Sequence, residues 1–105
     1  MSIKNTLVHS TTTQIFSAVS AEQAVTTMFF CNTSLTSSTN VNVFLVPIGG
    51  AAGNSNLVIN ALPIPATEIF VFDAEKVILE SGESIWAQST VDNILIATVS
   101  SVQTS

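Results

Sequence analysis

The chain has 105 residues, the length of one compact domain, and a hydrophobic content of 47% that is sufficient for a core. Only 9% of the residues are charged and the formal net charge is -5, with Lys4 and Lys76 as the only lysine or arginine residues. This balance argues against nucleic-acid binding through phosphate neutralisation and against anionic membrane surfaces.

Membrane insertion and secretion are also disfavoured. No stretch reaches the 18 uninterrupted apolar residues of a spanning helix, and the first ten residues lack the apolar run of a signal peptide. Cys31 is the only cysteine, so no disulfide can form within the chain. We therefore expect a soluble protein made in a cytoplasm, which is stabilised by its core, by assembly, or by both.

The predicted elements are all strands, because Val, Ile, Thr and Phe dominate while strong helix formers are scarce. Turn-forming residues recur at short intervals, as in sandwiches and barrels. In chain order, the predicted strands are residues 6–10, 14–19, 25–32, 41–48, 57–62, 68–73, 77–79, 84–89 and 94–102. Pro63 and Pro65 are predicted to interrupt the ladder and to carry the chain between sheets, since proline donates no backbone hydrogen bond.

These features predict an all-β fold, an antiparallel β-sandwich (Ig-like or jelly-roll-like) of seven to eight strands. We expect a single domain over residues 1–105, with residues 1–13 as an extended N-terminal arm.

Three predicted strands are apolar on both faces: residues 41–46, 68–72 and 94–99. An exposed antiparallel sheet is normally polar on one face, so we expect another chain to cover the second face. The candidate assembly surface comprises Phe44, Val46, Ile94, Ile96 and Trp86. Trp86 fits equally well as a core residue or as an interface anchor.

Residues 23–67 contain no charged side chain. Their polar residues are Thr, Ser, Asn and Gln, which can pair across an interface without the desolvation cost of a buried charge. A fully solvated neutral surface is the alternative interpretation of the same composition.

No motif for metal binding or nucleophilic catalysis is present. His9 and Cys31 are the only imidazole and thiol, and no ligand spacing connects them. We expect a surface or edge-strand histidine and a packed core cysteine. No Gly-x-Ser-x-Gly sequence surrounds a serine, and no metal or cofactor is expected.

The remaining candidates for chemistry also have structural interpretations. The carboxylate pairs Asp73 with Glu75 and Glu80 with Glu83 lie in predicted turns, where a solvated rim is expected. The glycine-rich segment 49–53 lacks the lysine of a phosphate-binding loop, and no helix follows it. We predict that it only connects two strands.

The order of short motifs resembles a family of short β-sandwich virion proteins of tailed bacteriophages, including cyanophages. The motifs are FFCNTS at 29–34, VNVFLVP at 41–47, the small-residue loop 49–56, LPI at 62–64, EIFVFD at 68–73 and VILESGESIWA at 77–87. Similar proteins often have Pro-Ala-Gly where this chain has residues 19–22, and Ala-Gly-Glu where it has residues 66–68. Both departures remove a glycine from a turn.

The resemblance implies an Ig-like sandwich and a structural role in a virion. Combined with the two-faced strands, it leads us to expect a non-enzymatic capsid cement or decoration protein that forms a homo-oligomer, a trimer, and binds the major capsid protein. A neck, tail or baseplate component is the first alternative. A carbohydrate-binding fibre module for the host surface is the second. The expected location is the virion, assembled in the host cytoplasm.

Overall fold

The computed structural model describes residues 2–18, 22–72 and 77–103, which form nine strands and one turn of 3-10 helix. The strands are β1 (Ser2–Val8), β2 (Thr13–Ser17), β3 (Gln23–Asn32), β4 (Thr39–Val46), β5 (Leu57–Ile64), β6 (Ile69–Phe72), β7 (Val77–Leu79), β8 (Ser84–Ser89) and β9 (Leu95–Gln103). The 3-10 turn is Asn54–Asn56, between β4 and β5. Alternate residues of β9 are buried, the period of a strand with one face on the core.

The strands form two antiparallel sheets. Sheet 1 has the order β1-β9-β3, with β6 and β7 both paired to the far side of β3. Sheet 2 has the order β2-β8-β4-β5. The all-β antiparallel sandwich predicted from the sequence is therefore confirmed.

The pairing follows a nested pattern. The first strand pairs with the last, β2 with β8, β3 with β6 and β7, and β4 with β5. One long antiparallel hairpin that is rolled into two layers gives this order, which is the jelly-roll topology. The jelly-roll alternative is therefore correct and the Ig-like alternative is not. Because one jelly-roll position is split into β6 and β7, the described residues form nine strands instead of seven to eight.

The core lies between the sheets. Phe30 and Met28 from β3 and Ile15 from β2 are among its largest fully buried side chains. The rest of the cluster comes from most of the other strands: Val8, Phe16, Ala18, Val25, Val41, Val43, Ile64, Leu79, Ile85, Ala87, Leu95, Ala97 and Val99. Burial of these aliphatic and aromatic groups supplies the main driving force for the fold.

The predicted N-terminal arm is not observed. Residues 2–8 form β1, which pairs with β9 at every position from Ser2 to Val8. Val8 is fully buried in the core. The chain then passes to sheet 2 through residues 9–12 and continues as β2. The polar alternation of β1 gave only a weak strand signal, because its conformation depends on pairing with a segment far away in the sequence.

Pro63 lies inside a strand, contrary to the sequence-based prediction. The strand β5 continues through Pro63 to Ile64, two residues beyond its predicted end. It occupies the edge of sheet 2, where one side of the strand needs no hydrogen-bonding partner, so proline is tolerated. The predicted passage between sheets does occur, and it follows Ile64 at once, since the next strand, β6, belongs to sheet 1.

Candidate functional site

The outer face of sheet 1 is apolar and solvent-exposed. Strand pairing aligns Leu7, Ile96, Cys31 and Ile69 in one row across β1, β9, β3 and β6. The next row is Asn5, Thr98, Phe29 and Val71. At one end of the sheet, Val102, Ala24 and Ile78 form a third row across β9, β3 and β7. These rows and Ile3 make up what we call the apolar face.

The exposure of this face is high for its residue types. Its exposed fractions are 66% for Ile3, 60% for Ile69, 52% for Ile78, 51% for Val71, 37% for Val102 and 36% for Phe29. At normal strand spacing the face measures on the order of 500 Å². The largest apolar patch on a typical monomer is about 300 to 600 Å² and is often functional, while a standard protein interface takes about 800 Å² from each partner. The area therefore fits a functional apolar patch, and it is smaller than one side of a standard interface.

The polar groups of the apolar face are neutral. Thr98 donates its hydroxyl hydrogen to Oδ1 of Asn5 across the β1–β9 pair, at 2.7 Å. Beside them, at a bulge in β3, the Thr26 hydroxyl donates a hydrogen bond to the Ser100 carbonyl at 3.1 Å. No described strand position on this face carries a charge. A partner could therefore cover the face without burying an unpaired ion, the costliest kind of desolvation.

The five predicted assembly residues do not lie on one surface. Ile96 is half-buried on the apolar face, because its neighbours Leu95 and Ala97 point into the core. Ile94, also half-buried, precedes β9 and accepts two hydrogen bonds from Thr33 at its carbonyl. The other three predicted residues belong to sheet 2.

On sheet 2, Phe44 and Val46 are only 5% and 3% exposed, so they offer almost no surface to a partner. Phe44 lies between Trp86 on β8 and Leu57 on β5, and the 3-10 turn passes beside β4. The face of β4 that carries Phe44 and Val46 is thus covered by the chain itself. Trp86 is half-buried there and donates its indole hydrogen to Oγ of Ser84 at 2.8 Å.

Cys31 is not in the core. It is half-buried on the apolar face, between Ile96 and Ile69, because its neighbours Phe30 and Asn32 point inward. The prediction of a packed core cysteine is therefore wrong. Because Cys31 follows a continuous run of apolar residues, the sequence pattern does not show which of these residues face the core.

His9, Ser10 and Asp92 meet where the chain passes from β1 to β2. Ser10 donates to Asp92 through its backbone N–H, at 2.6 Å, and its hydroxyl, at 2.9 Å. His9 Nδ1 is 3.7 Å from the same carboxylate, and its side chain is exposed, as predicted. The pKa of Asp92 lies below its ordinary value, chiefly because of the Ser10 N–H, then the Ser10 hydroxyl, with a smaller contribution from His9.

This cluster has the residue types of a Ser-His-Asp triad but not its geometry. A catalytic serine donates its hydroxyl to the imidazole, which takes the proton as general base. Here Ser10 donates to the carboxylate instead, so its hydroxyl has no imidazole to act as general base. The arrangement fastens the crossover, and Gln88 adds a hydrogen bond to the Ser10 carbonyl at 2.8 Å.

The other polar candidates have structural roles or lie outside the described residues. Glu83 accepts a hydrogen bond from the Glu80 N–H at 2.8 Å within the turn before β8. The predicted pair Asp73 and Glu75 lies outside the described residues. The described His, Cys, Asp and Glu residues form no group of three that could hold a metal ion. Within the described segments, no helix is long and apolar enough to cross a membrane.

The glycine-rich connection is held by its own hydrogen bonds. Asn56 Oδ1 accepts from the Gly53 N–H at 3.0 Å, and its Nδ2 donates to the Ala51 carbonyl at 2.9 Å. Its polar groups are thus used within the loop, which fits the predicted role as a connection between strands.

No protein-family model, curated protein or solved structure matches this chain. The apolar face therefore stands as the candidate site on its geometry alone. Sequence reasoning pointed to two of its segments, residues 68–72 and 94–99, but missed Ile3, Phe29 and Ile78. Their exposure depends on which strands pair, and a local pattern does not contain that information.

Proposed function

We propose that this chain is a non-enzymatic structural protein of a tailed-phage virion, a decoration protein that attaches to the major capsid protein through the apolar face. The observation that carries the proposal is the uncharged apolar surface that extends across all five strands of sheet 1. Fold analogy gives weaker support, since jelly rolls occur in viral capsid proteins but also in lectins. The sequence resemblance described above points in the same direction.

An apolar contact suits a decoration protein energetically. Such a protein binds the closed shell and not its dissociated subunits, so its binding free energy stabilises the particle. Many weak contacts repeated over a lattice add up without a strong individual site. Because the face is uncharged, attachment depends on burial of apolar area and should change little between low and high salt.

Two valine variants test the proposal. Val71 on the apolar face and Val58 on the edge strand of sheet 2 are equally exposed, at 51% and 50%. Val71→Glu should abolish co-sedimentation with particles that lack the protein, because a carboxylate would be buried against an apolar partner. Val58→Glu should bind like the wild type. Thermal melts of both variants establish that each is folded.

Equal binding by Val71→Glu and the wild type would contradict the assignment of the face. Particles without the protein should assemble with normal tails and burst at a lower temperature. Tailless particles would move the protein to the neck or tail. Robust particles that no longer adsorb to cells would instead favour host recognition.

A further inference from the structure

The free edges of the two sheets are unequal. An edge strand presents unpaired N–H and C=O groups that can recruit another strand, and proteins normally blunt such edges with bulges, proline, short strands or charged side chains, especially lysine. Sheet 2 ends in β2 and β5, whereas sheet 1 ends in β1 on one side and in β6 with β7 on the other.

Three of these edges are protected. The strand β5 is bulged against β4, with Ala61 at a φ of 53°, and it contains Pro63. The strand β2 has five residues and a register shift between Gln14 and Phe16. On the far side of β3 the edge is divided between β6 with four residues and β7 with three.

The fourth edge, β1, has only one of these features, a single lysine. Its seven residues pair with β9 in one unbroken register. It contains no proline, and no strand among the described residues pairs with its outer side. This lysine, Lys4, pairs with Val99 and therefore lies on the core side of the sheet.

We propose that this edge binds the β1 strand of a second copy, antiparallel and about a two-fold axis at Asn5. In that register Ile3 of each copy lies opposite Leu7 of the other, on the side of the apolar face, and Lys4 lies opposite Thr6. All seven residues find a partner. A register centred on residue 4 would place the two lysines opposite each other, and one centred on residue 6 would leave the first strand residues without partners.

The self-complementary sequence is the reason to infer a second copy and not a foreign strand. Pairing would join sheet 1 of one copy to sheet 1 of the other in one continuous sheet. The two apolar faces would then meet at Ile3 and Leu7. A symmetric pair of this kind is a dimer, whereas the sequence led us to expect a trimer.

Engineered cysteines test both the partner and the register. In a Cys31→Ala background, Asn5→Cys places two thiols on the two-fold axis, where opposite Cα atoms are about 4.5 to 5.5 Å apart, within disulfide range. Ile3→Cys is the matched control on the same side of the strand, since its two copies would lie about 13 Å apart along the strands. Mild oxidation should cross-link the Asn5→Cys protein and leave the Ile3→Cys protein monomeric on a denaturing gel. A mixture of the Ile3→Cys and Leu7→Cys proteins should cross-link.

Light scattering of the unmodified chain should give twice the 11.0 kDa of one chain. A monomer would overturn the proposal, as would cross-linking of Ile3→Cys as readily as Asn5→Cys. A dimer in which Asn5→Cys does not cross-link would also overturn it and would favour stacking of two apolar faces. The inference does not depend on the virion role, because Val71 is three strands away from the β1 edge and its variant should still form dimers.

Discussion

Asn32 joins the two sheets at one end of the sandwich by donating its Nδ2 hydrogen to the carbonyl of Ile64, at 3.0 Å. The same amide donates to the Ser37 carbonyl at 2.9 Å and accepts from the Ser34 N–H at 2.9 Å. Asn32 is 1% exposed, so its side-chain amide has no ready access to water as a substitute partner. The side chain thus fixes the loop after β3 and the end of β5 together.

Replacing Asn32 with Asp should destabilise the fold by about 3 kcal/mol, because a buried carboxylate would face two carbonyl oxygens that have lost their donor. Urea unfolding followed by tryptophan fluorescence or circular dichroism measures the change. Asn60→Asp, at an exposed position on β5, is the control and should shift stability by less than about 0.5 kcal/mol. An unchanged midpoint for Asn32→Asp would show that the amide is not important for stability.

Alanine substitution of Gly82 and two other glycines distinguishes the stability cost of backbone strain from that of steric contact. Gly82 has a φ of 94°, and an added Cβ would lie 3.0 Å from Cγ1 of Ile48. Gly49 has a φ of 74° with open space around it, and Gly53 has open space and an extended backbone. Gly82→Ala should cost about 2 kcal/mol or more, Gly49→Ala about 1 kcal/mol, and Gly53→Ala almost nothing. Thermal unfolding of the three variants gives the order, and equal effects would contradict it.

The fold should be more stable with glycine than with threonine at position 67. Thr67 adopts a φ of 68° in the turn that carries the chain from β5 to β6, a conformation that a β-branched residue rarely accepts. Thr67→Gly should raise stability by up to about 1 kcal/mol, since relief of the left-handed strain exceeds the added backbone entropy. Thr12→Gly, which relieves no such strain, should lower stability, and a lower stability for both variants would contradict the argument.

Acid should weaken the crossover that Asp92 fastens. The pKa of this carboxyl is lower in the folded chain than in the unfolded one, so its contribution is fully present above the unfolded pKa. It is lost as the pH falls through the folded pKa, which lies below the ordinary value for an aspartate. Asp92→Asn should therefore be less stable than the wild type at pH 7, and the difference should shrink at pH 3. An Asp92 signal that titrates above the ordinary value in a carbon-detected NMR titration would refute this prediction.

Cys31 should report whether the apolar face is covered. In the free chain its half-buried thiol should react slowly with a maleimide. If the apolar face attaches to the capsid as proposed, the thiol should be protected in assembled particles. Thr36→Cys in a Cys31→Ala background is the control, because residue 36 lies in an exposed loop and should react in both states. Equal labelling of Cys31 in the free chain and in particles would place the contact on another surface.

Strand positions were largely predictable from the sequence, but faces were not. The bounds of β7 and β8 agree with those predicted, because turn residues around Gly82 and Asp92 delimit them. The two-faced strands 41–46 and 68–72 looked equivalent in the sequence, yet Phe44 is buried and Val71 exposed. The difference lies in the neighbours: Phe44 has Trp86 and Leu57 beside it, whereas Val71 lies on an edge strand. Such neighbours are distant in sequence, and no local pattern specifies them.

The nested pairing of strands has a consequence for how the chain folds. β1 leaves the ribosome about 90 residues before its partner β9, which at ordinary synthesis rates is an interval of about 5 to 20 s. Until β9 has been synthesised, neither β1 nor the edge of β3 that pairs with β9 has its native partner. Because sheet 1 forms only when the first and last strands pair, refolding in stopped-flow experiments should take milliseconds to seconds, slower than in small helical proteins. The same unpaired edges make the incomplete chain prone to aggregation, so slowed translation near the 3′ end of the message should lower the soluble yield.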